Sequence, residues 1–234
     1  MAEAEDVITD VARHATIYVQ ELWRRHRRAR RKGAQLEPPA LTDFARRLDL
    51  LVTAVFGMSY PIRAAQPPPP PSLLGRLFGK PGMPRPWQAV PATDGACIWL
   101  PSTLDHCAEA EALDRYRTTV LQQAMRAARG SAAAIAPTSD PKLRDVYLVL
   151  EAHAADEAIA RTLPGMAPAI DRLRRYALAT RPDLMRFAPA CRPFELFVRR
   201  LLSAKCGIPP SDLPRRETPA ASLAAAHDLL AGIR

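Results

Sequence analysis

Aromatic residues are scarce in this sequence. Phe, Trp and Tyr make up 6% of the 234 residues, although 48% of the chain is hydrophobic. That hydrophobic share is large enough for a core, and alanine and leucine contribute most of it. Because pleated sheets select β-branched and aromatic side chains, the balance favours helices. The composition therefore predicts a mainly α protein with one large or two small domains.

Long apolar runs are also missing. No stretch approaches the roughly 18 consecutive apolar residues that a membrane-spanning helix needs. The first residues include Glu3, Glu5 and Asp6, whereas a secretory signal begins with basic residues followed by apolar ones. These absences predict a soluble, cytoplasmic protein without a membrane span.

The sequence has few cysteines and none of the common catalytic motifs. Its four cysteines are widely spaced, so we expect reduced, partly buried thiols. They are Cys97, Cys107, Cys191 and Cys206. Residues 75–80 resemble a phosphate-binding loop, but Leu74 replaces its first glycine and Pro81 its Ser or Thr. With no GxSxG, GxGxxG or CxxC motif either, the sequence predicts no nucleotide site and no cofactor.

Proline divides the chain into three predicted regions. Residues 1–57 predict a helical pair, with helices from about Asp6 to Arg31 and from Thr42 to Phe56, and Gly57 ends the second helix. Residues 58–91 contain five consecutive prolines and predict a mobile loop or linker, or a ligand for a groove-type partner. Residues 92–234 predict a hairpin followed by helices, which could pack with 1–57 as one unit.

A small hairpin is predicted after the proline-rich stretch. The pair Asp94-Gly95 separates two short apolar runs within residues 87–100, which is the strongest local indication of a hairpin. Such a two-stranded ribbon needs helices to pack against, because it is not stable alone.

Basic residues are concentrated near the end of the first predicted helix, and the chain as a whole has a formal net charge of +9. Three interpretations stay open: a solvated helix end, a surface for an acidic protein partner, and a nucleic-acid contact. The candidate partner-binding residues are Arg24, Arg25, Arg27, Arg28, Arg30 and Arg31.

Two apolar-faced helices, joined by a turn with Pro, Ser and Asp, are predicted over residues 116–165. Apolar side chains recur at spacings of three and four, which places one stripe on each helix. The first stripe contains Leu113, Tyr116, Val120, Leu121, Ala124 and Ala128, and the second contains Leu143, Val146, Tyr147, Leu150, Ala154 and Ile159.

This helix pair has the spacing of a zinc site but not its ligands. A zinc-binding helix carries two histidines four residues apart, and here Gln122 and Arg126 occupy those positions. The second helix offers Glu151, His153, Asp156 and Glu157. The pattern predicts a degenerate zincin-like pair that binds no metal and has no catalytic residue. His153 and Glu157 are four residues apart, a spacing that predicts a surface pair on one helix face. A proton relay between them is the alternative.

Three more amphipathic helices are predicted toward the C-terminus. They run from Met166 to Thr180, from Pro193 to Ala204, and from Thr218-Pro219 to the end of the chain. In the last of these, Thr218 is the predicted cap and proline occupies the first helical position.

Four segments of the chain form a set that can be compared with known families: Asp94-Gly95 with Ile98-Trp99-Leu100-Pro101, Tyr116-Arg117, QQAMRAARGS, and Leu150-Glu151 through Leu163-Pro164-Gly165. This set resembles the N-terminal region of the NorD/CbbO family. Related sequences often have His-Gln-x-x-His followed by Gly-Ser or Gly-Thr, and here the histidines are Gln122 and Arg126, while Gly130-Ser131 remains. The resemblance covers roughly residues 41 to 205.

Members of this family carry a C-terminal von Willebrand factor A domain and act with MoxR-class AAA+ ATPases. The resemblance therefore implies a non-catalytic adaptor that docks such an ATPase hexamer and helps to activate a target enzyme, either a nitric oxide reductase or Rubisco. The alternative is a residual metal-dependent hydrolase that uses Glu151, His153 and Asp156.

Overall fold

The computed structural model describes residues 38–66, 89–104, 108–208 and 210–232. Seven α-helices lie in these ranges: α1 (Ala45–Phe56), α2 (Glu109–Arg129), α3 (Ser131–Ile135), α4 (Pro141–Thr162), α5 (Ala167–Ala179), α6 (Arg192–Ser203) and α7 (Pro219–Gly232). The predicted mainly α fold is confirmed. Among the described residues, no helix is long and apolar enough to cross a membrane.

A three-stranded sheet accompanies the helices. Its strands are β1 (Ile62–Ala65), β2 (Ala92–Thr93) and β3 (Ile98–Pro101), in the order β1-β3-β2. Strand β2 pairs antiparallel with β3, with Thr93 opposite Ile98, so the predicted hairpin is present. Strand β1 pairs parallel with β3, with Ile62 opposite Ile98. The prediction of only two strands, with a loop from residue 58, is therefore wrong.

The turn between β2 and β3 is held by Asp94. Its Oδ1 accepts hydrogen bonds from the backbone N–H groups of Ala96 (2.9 Å) and Cys97 (2.8 Å), and Gly95 takes a φ of 95°. These local contacts are why the hairpin can be read from the sequence. Strand β1 has only four residues and no alternating pattern, so it forms only because β3 supplies its hydrogen-bond partners.

Helix α1 shares a hydrophobic core with α2 and β3. Phe44, at the start of α1, packs against Tyr116 of α2 with ring centroids 5.7 Å apart, and the Tyr116 hydroxyl donates to the Pro101 carbonyl at 2.9 Å. Other members of this first core are Leu48, Val52, Ile98, Leu100, Val120 and Leu121. The predicted apolar stripe of α2 is buried or half-buried except for Ala128, which is exposed.

A second hydrophobic core lies between α3, α4, α6 and α7. Its buried members are Ile135, Leu143, Val146, Tyr147, Leu150, Leu201, Leu213 and Ala226. Helix α4 belongs to both cores, because its Ile159 packs into the first. The whole predicted stripe of α4 is buried. Since α4 is covered on most sides, its polar residues between the two cores are buried as well.

The C-terminal helices lie close to their predicted positions. The Thr218 hydroxyl accepts from the Ala221 backbone N–H at 3.2 Å, so the predicted cap of α7 is confirmed. Tyr176 of α5 is 46% exposed and lies under the Arg115 guanidinium. The predicted helix from Asp6 to Arg31 and the five consecutive prolines lie outside the described residues.

Candidate functional site

Four polar residues of α4 lie between the two hydrophobic cores. Glu151 is 1% exposed, His153 4%, Asp156 7% and Glu157 3%. Charged side chains are almost never buried this deeply unless they are paired. Their partners therefore decide what this cluster, here called the buried polar network, can do chemically.

Glu151 is the best satisfied member of the buried polar network. Both carboxylate oxygens accept from the Arg129 guanidinium, Oε1 at 2.7 Å and Oε2 at 3.1 Å. The Ser131 hydroxyl donates to Oε1 at 2.7 Å, and the Ser222 hydroxyl donates to Oε2 at 2.6 Å. Burial works to raise the pKa of Glu151, but the hydrogen bonds from Arg129, Ser222 and Ser131 outweigh it and lower the pKa. Glu151 is therefore held as a carboxylate.

Helix ends place these donors around Glu151. Gly130 ends α2 with a φ of 75° and lets the chain turn directly into α3, so that Arg129 and Ser131 both reach α4. The Tyr147 hydroxyl donates to the Ser131 carbonyl at 2.8 Å and fixes this corner.

Arg129 also ties the segment before α7 to the network. Its guanidinium donates to the backbone carbonyls of Arg216 (3.3 Å) and Glu217 (3.1 Å). One side chain thus connects α2, α4 and the approach to α7.

Asp156 has partners on two further helices. Gln122 of α2 donates its amide to Oδ1 at 2.7 Å, and Arg174 of α5 donates to Oδ2 through Nε at 3.0 Å and Nη2 at 2.8 Å. Arg174 also donates to the Ala204 carbonyl, just after α6, at 3.1 Å. Asp156 therefore ties α4 to α2 and α5, and Arg174 extends the connection to α6.

His153, Glu157 and Arg216 form the least satisfied part of the network. Arg216 Nη2 lies 3.2 Å from Nδ1 of His153, and Glu157 Oε1 lies 3.4 Å from the same nitrogen. A guanidinium only donates, so Nδ1 must accept and the ring hydrogen must sit on Nε2. Among the described residues, His153 Nε2, Glu157 Oε1 and Arg216 Nε have no hydrogen-bond partner.

Burial controls the protonation of this trio. Burial, followed by the positive charges of Arg174 and Arg216, lowers the pKa of His153 to about 3. Burial also raises the pKa of Glu157 and lowers that of Arg216. At neutral pH His153 is therefore the neutral member of the group.

The structure brings together only part of the predicted degenerate site. Gln122 and Asp156 are in contact, whereas Glu151 is bound by Arg129 and the serines. Arg126 is half-buried, and its guanidinium forms no hydrogen bond or ion pair within the described ranges. Burial lowers its pKa, and the negative charges of Asp156 and Glu151 act in the opposite direction.

Metal binding does not fit these side chains. Both oxygens of Glu151 and of Asp156 already accept hydrogen bonds from cationic, amide or hydroxyl donors. In the part of the chain that the structure describes, no group of three or more His, Cys, Asp or Glu residues could hold a metal ion.

The prediction that His153 and Glu157 form a surface pair is wrong, since both side chains are buried.

Five partners in the network were not predicted as site residues: Arg129, Ser131, Arg174, Arg216 and Ser222. Arg174 had a usable signal, because it follows Ile170 by four residues and so lies on the buried side of α5. Arg216 and Ser222 had none, since only the tertiary fold brings them to α4. The six arginines predicted to bind a partner lie outside the described residues, so that proposal stays a prediction.

The chain matches no protein-family model, no curated protein and no solved structure. The resemblance to the NorD/CbbO family therefore stays a prediction.

Proposed function

We propose that this protein is a non-catalytic adaptor that docks a MoxR-class AAA+ ATPase and helps to activate or remodel a target enzyme. The main support is the use of Glu151 and Asp156 as structural residues. Each carboxylate is neutralised by a buried arginine, Arg129 or Arg174, and each has both oxygens occupied. Groups used in this way hold helices together and are not free to act on a substrate.

The same contacts argue against the alternative of a metal-dependent hydrolase. Such a mechanism would need Glu151, His153 and Asp156 to bind a metal together. Arg129 and Arg174 place positive charge beside both carboxylates, and Arg216 places it beside His153. A cation at this position would have to displace all three arginines at once.

The identity of the partner comes from the sequence resemblance. In the proposed mechanism, the ATPase supplies ATP hydrolysis and this chain anchors the complex. The target is a nitric oxide reductase or Rubisco, depending on the branch of the family to which the chain corresponds.

Direct binding is the decisive experiment. The full chain is mixed with the purified MoxR-class ATPase encoded in the same genome, and binding and ATPase rate are measured at low and moderate salt. We expect saturable binding that weakens with salt. No binding at low salt would reject the adaptor function, and stoichiometric zinc in the purified chain would favour the hydrolase. Capture of reductase or Rubisco subunits with the complex would identify the branch.

The predicted contact near the N-terminus has its own test. Charge reversal at Arg27, Arg28, Arg30 and Arg31 should weaken the salt-sensitive part of ATPase binding. Reversal of Arg46, Arg63, Arg117 and Arg175, which are exposed elsewhere on the chain, makes the same change in net charge and is the matched control. Equal affinity of the reversed chain and the wild type would remove these four residues from the interface.

A further inference from the structure

We propose that the surface formed by residues 181–200, which joins α5 to α6 and includes most of α6, is a docking face for an acidic protein partner. This inference rests on the proposed adaptor function and gives it an interface within the described residues. The surface, called here the 181–200 surface, combines fixed arginines with two exposed apolar side chains.

Side-chain contacts hold the segment of residues 181–191, the connection between α5 and α6, against α6. Arg181 donates to both carboxylate oxygens of Glu195, at 2.7 Å and 2.5 Å. Arg199 donates to Glu195 at 2.7 Å and to the Pro182 carbonyl, and Arg192 donates to the Phe187 carbonyl at 3.2 Å. The connection and the helix therefore form one continuous surface.

Positive charge dominates the exposed part of this surface. Residues 181–200 include five arginines and two acidic residues. Glu195 is fully buried, whereas the two arginines that pair with it remain 24% and 28% exposed. A partner on the outside therefore meets these arginines and not the carboxylate. Within residues 181–200 only Asp183 is an exposed acid, and its Oδ1 accepts from the Met185 backbone N–H at 2.7 Å. Arg200 forms a 2.8 Å ion pair with the exposed Asp212, which lies outside this range. Arg186 is exposed and has no ion pair among the described residues.

Two large apolar side chains are exposed on the same surface. Met185 is 71% exposed, the highest value for a large hydrophobic residue in the described ranges, and Leu196 is 53% exposed. Methionine and arginine are enriched in protein interfaces, and methionine adapts to irregular pockets. Because Glu195 and backbone carbonyls already hold Arg181 and Arg199, less conformational entropy is lost when they bind a carboxylate.

A protein carboxylate surface fits these features better than nucleic acid does. Binding of single strands uses exposed aromatic rings on which bases stack. On this surface Phe187 is 3% exposed, and Phe194 and Phe197 pack against the second hydrophobic core. The exposed apolar groups are therefore a thioether and an aliphatic side chain, which suit a protein pocket.

A double variant with a matched control tests the surface. The full chains carrying R186E/L196E and R117E/L148E are compared with the wild type for binding to the MoxR-class ATPase. Arg117 and Leu148 are exposed on α2 and α4. The exposed fraction of Leu148, 46%, is similar to the 53% of Leu196. All four side chains lie on the outside, and melting curves confirm that each variant folds.

We expect R186E/L196E to raise the Kd for the ATPase at least about tenfold, with the control within about twofold of the wild type. If R186E/L196E binds as tightly as the wild type, or if both variants lose the same affinity, the 181–200 surface is not the interface. The adaptor function would stand in either case. A wild-type chain that does not bind the ATPase would overturn both proposals. If the wild type binds a labelled single-stranded oligonucleotide and R186E/L196E does not, the surface binds nucleic acid and the proposal of a protein partner is wrong.

Discussion

The Ser222 hydroxyl donates a 2.6 Å hydrogen bond to Glu151, although the two residues are 71 positions apart in the sequence. Glu151 lies in the middle of α4, and Ser222 lies in the first turn of α7, which covers the second hydrophobic core. The contact thus fixes α7 through a charged acceptor that is otherwise inaccessible to water.

Replacing Ser222 with alanine should lower the free energy of unfolding by about 2 kcal/mol, because a buried hydrogen bond to a charged group is lost. Ser203→Ala is the control, since the Ser203 hydroxyl is exposed and, within the described part of the chain, donates only to carbonyls of its own helix. We expect the control to change stability by less than about 0.5 kcal/mol. Urea unfolding monitored by circular dichroism measures both, and equal effects would mean that the contact with Glu151 adds nothing.

Replacing Glu151 with alanine should be more severe, with a loss of about 4 kcal/mol, because Arg129 would keep a buried charge without its carboxylate. Glu111→Ala removes a surface partner of Arg115 and should cost less than about 1 kcal/mol, since the Glu111 side chain is 52% exposed. The same urea titration compares the two variants. A loss below about 1 kcal/mol for Glu151→Ala would contradict a structural role.

His153 should make the protein less stable as the pH falls. Its pKa is about 6.5 when unfolded and about 3 when folded, so below pH 6.5 the unfolded chain binds more protons. Its contribution to stability is complete above pH 6.5 and is lost progressively as the pH falls toward 3. The slope attributable to this residue approaches about 1.4 kcal/mol per pH unit.

A variant separates His153 from other titrating groups. The charged groups facing it are Glu157, Arg216 and Arg174, and all three stay in place in His153→Gln. The raised pKa of Glu157 gives the opposite trend, with stability lost as the pH rises through its folded value. Unfolding measured from pH 7 to 5 should show a smaller slope in His153→Gln than in the wild type. Identical slopes would show that His153 keeps an ordinary pKa.

Gly130 should be intolerant of substitution because of its backbone conformation. Its φ of 75° lies in the left-handed region, and an added Cβ would meet nothing within 4 Å, so the cost comes from the backbone alone. Gly130→Ala should lower stability by about 1 kcal/mol. Gly165→Ala is the control, since that glycine has equal space and no positive φ. Equal melting temperatures for the two variants would contradict this interpretation.

Cys206 should react slowly with alkylating reagents. Burial raises the pKa of its thiol to about 12, whereas Cys191 is only half-buried. Since the thiolate is the reactive form, iodoacetamide at pH 8 should modify Cys191 at least roughly tenfold faster. Peptide mass spectrometry of timed samples measures both rates, and denatured chains provide the control in which the difference disappears. Comparable rates in the folded protein would contradict the burial of Cys206.

Local patterns were enough to predict most of the helices. The stripe on α4 is buried at every predicted position, and Gly57 and Thr218 bound helices where the sequence indicates. These features depend on residues a few positions apart, which a linear sequence displays directly. The hairpin turn at Asp94-Gly95 is predictable for the same reason.

The candidate site was only partly predictable. Glu151 and Asp156 were identified as functional candidates, but their partners Arg129 and Arg174 were not. His153 and Glu157 have the spacing of a surface pair, and only the packing of α5 and of the segment before α7 shows that they are buried. Spacing along one helix gives the face of a side chain and does not give what covers it.

The sequence by itself determined the mainly helical fold, most of the helices and the absence of zinc-binding histidines at Gln122 and Arg126. Tertiary structure decided the rest: strand β1 exists because β3 offers it hydrogen bonds, and Glu151 is a buried structural carboxylate because α7 brings Ser222 to it. Helix propensity and capping act over a few residues. The burial and pairing of a charge depend on groups that are distant in sequence, so their effect appears only when the whole chain is folded.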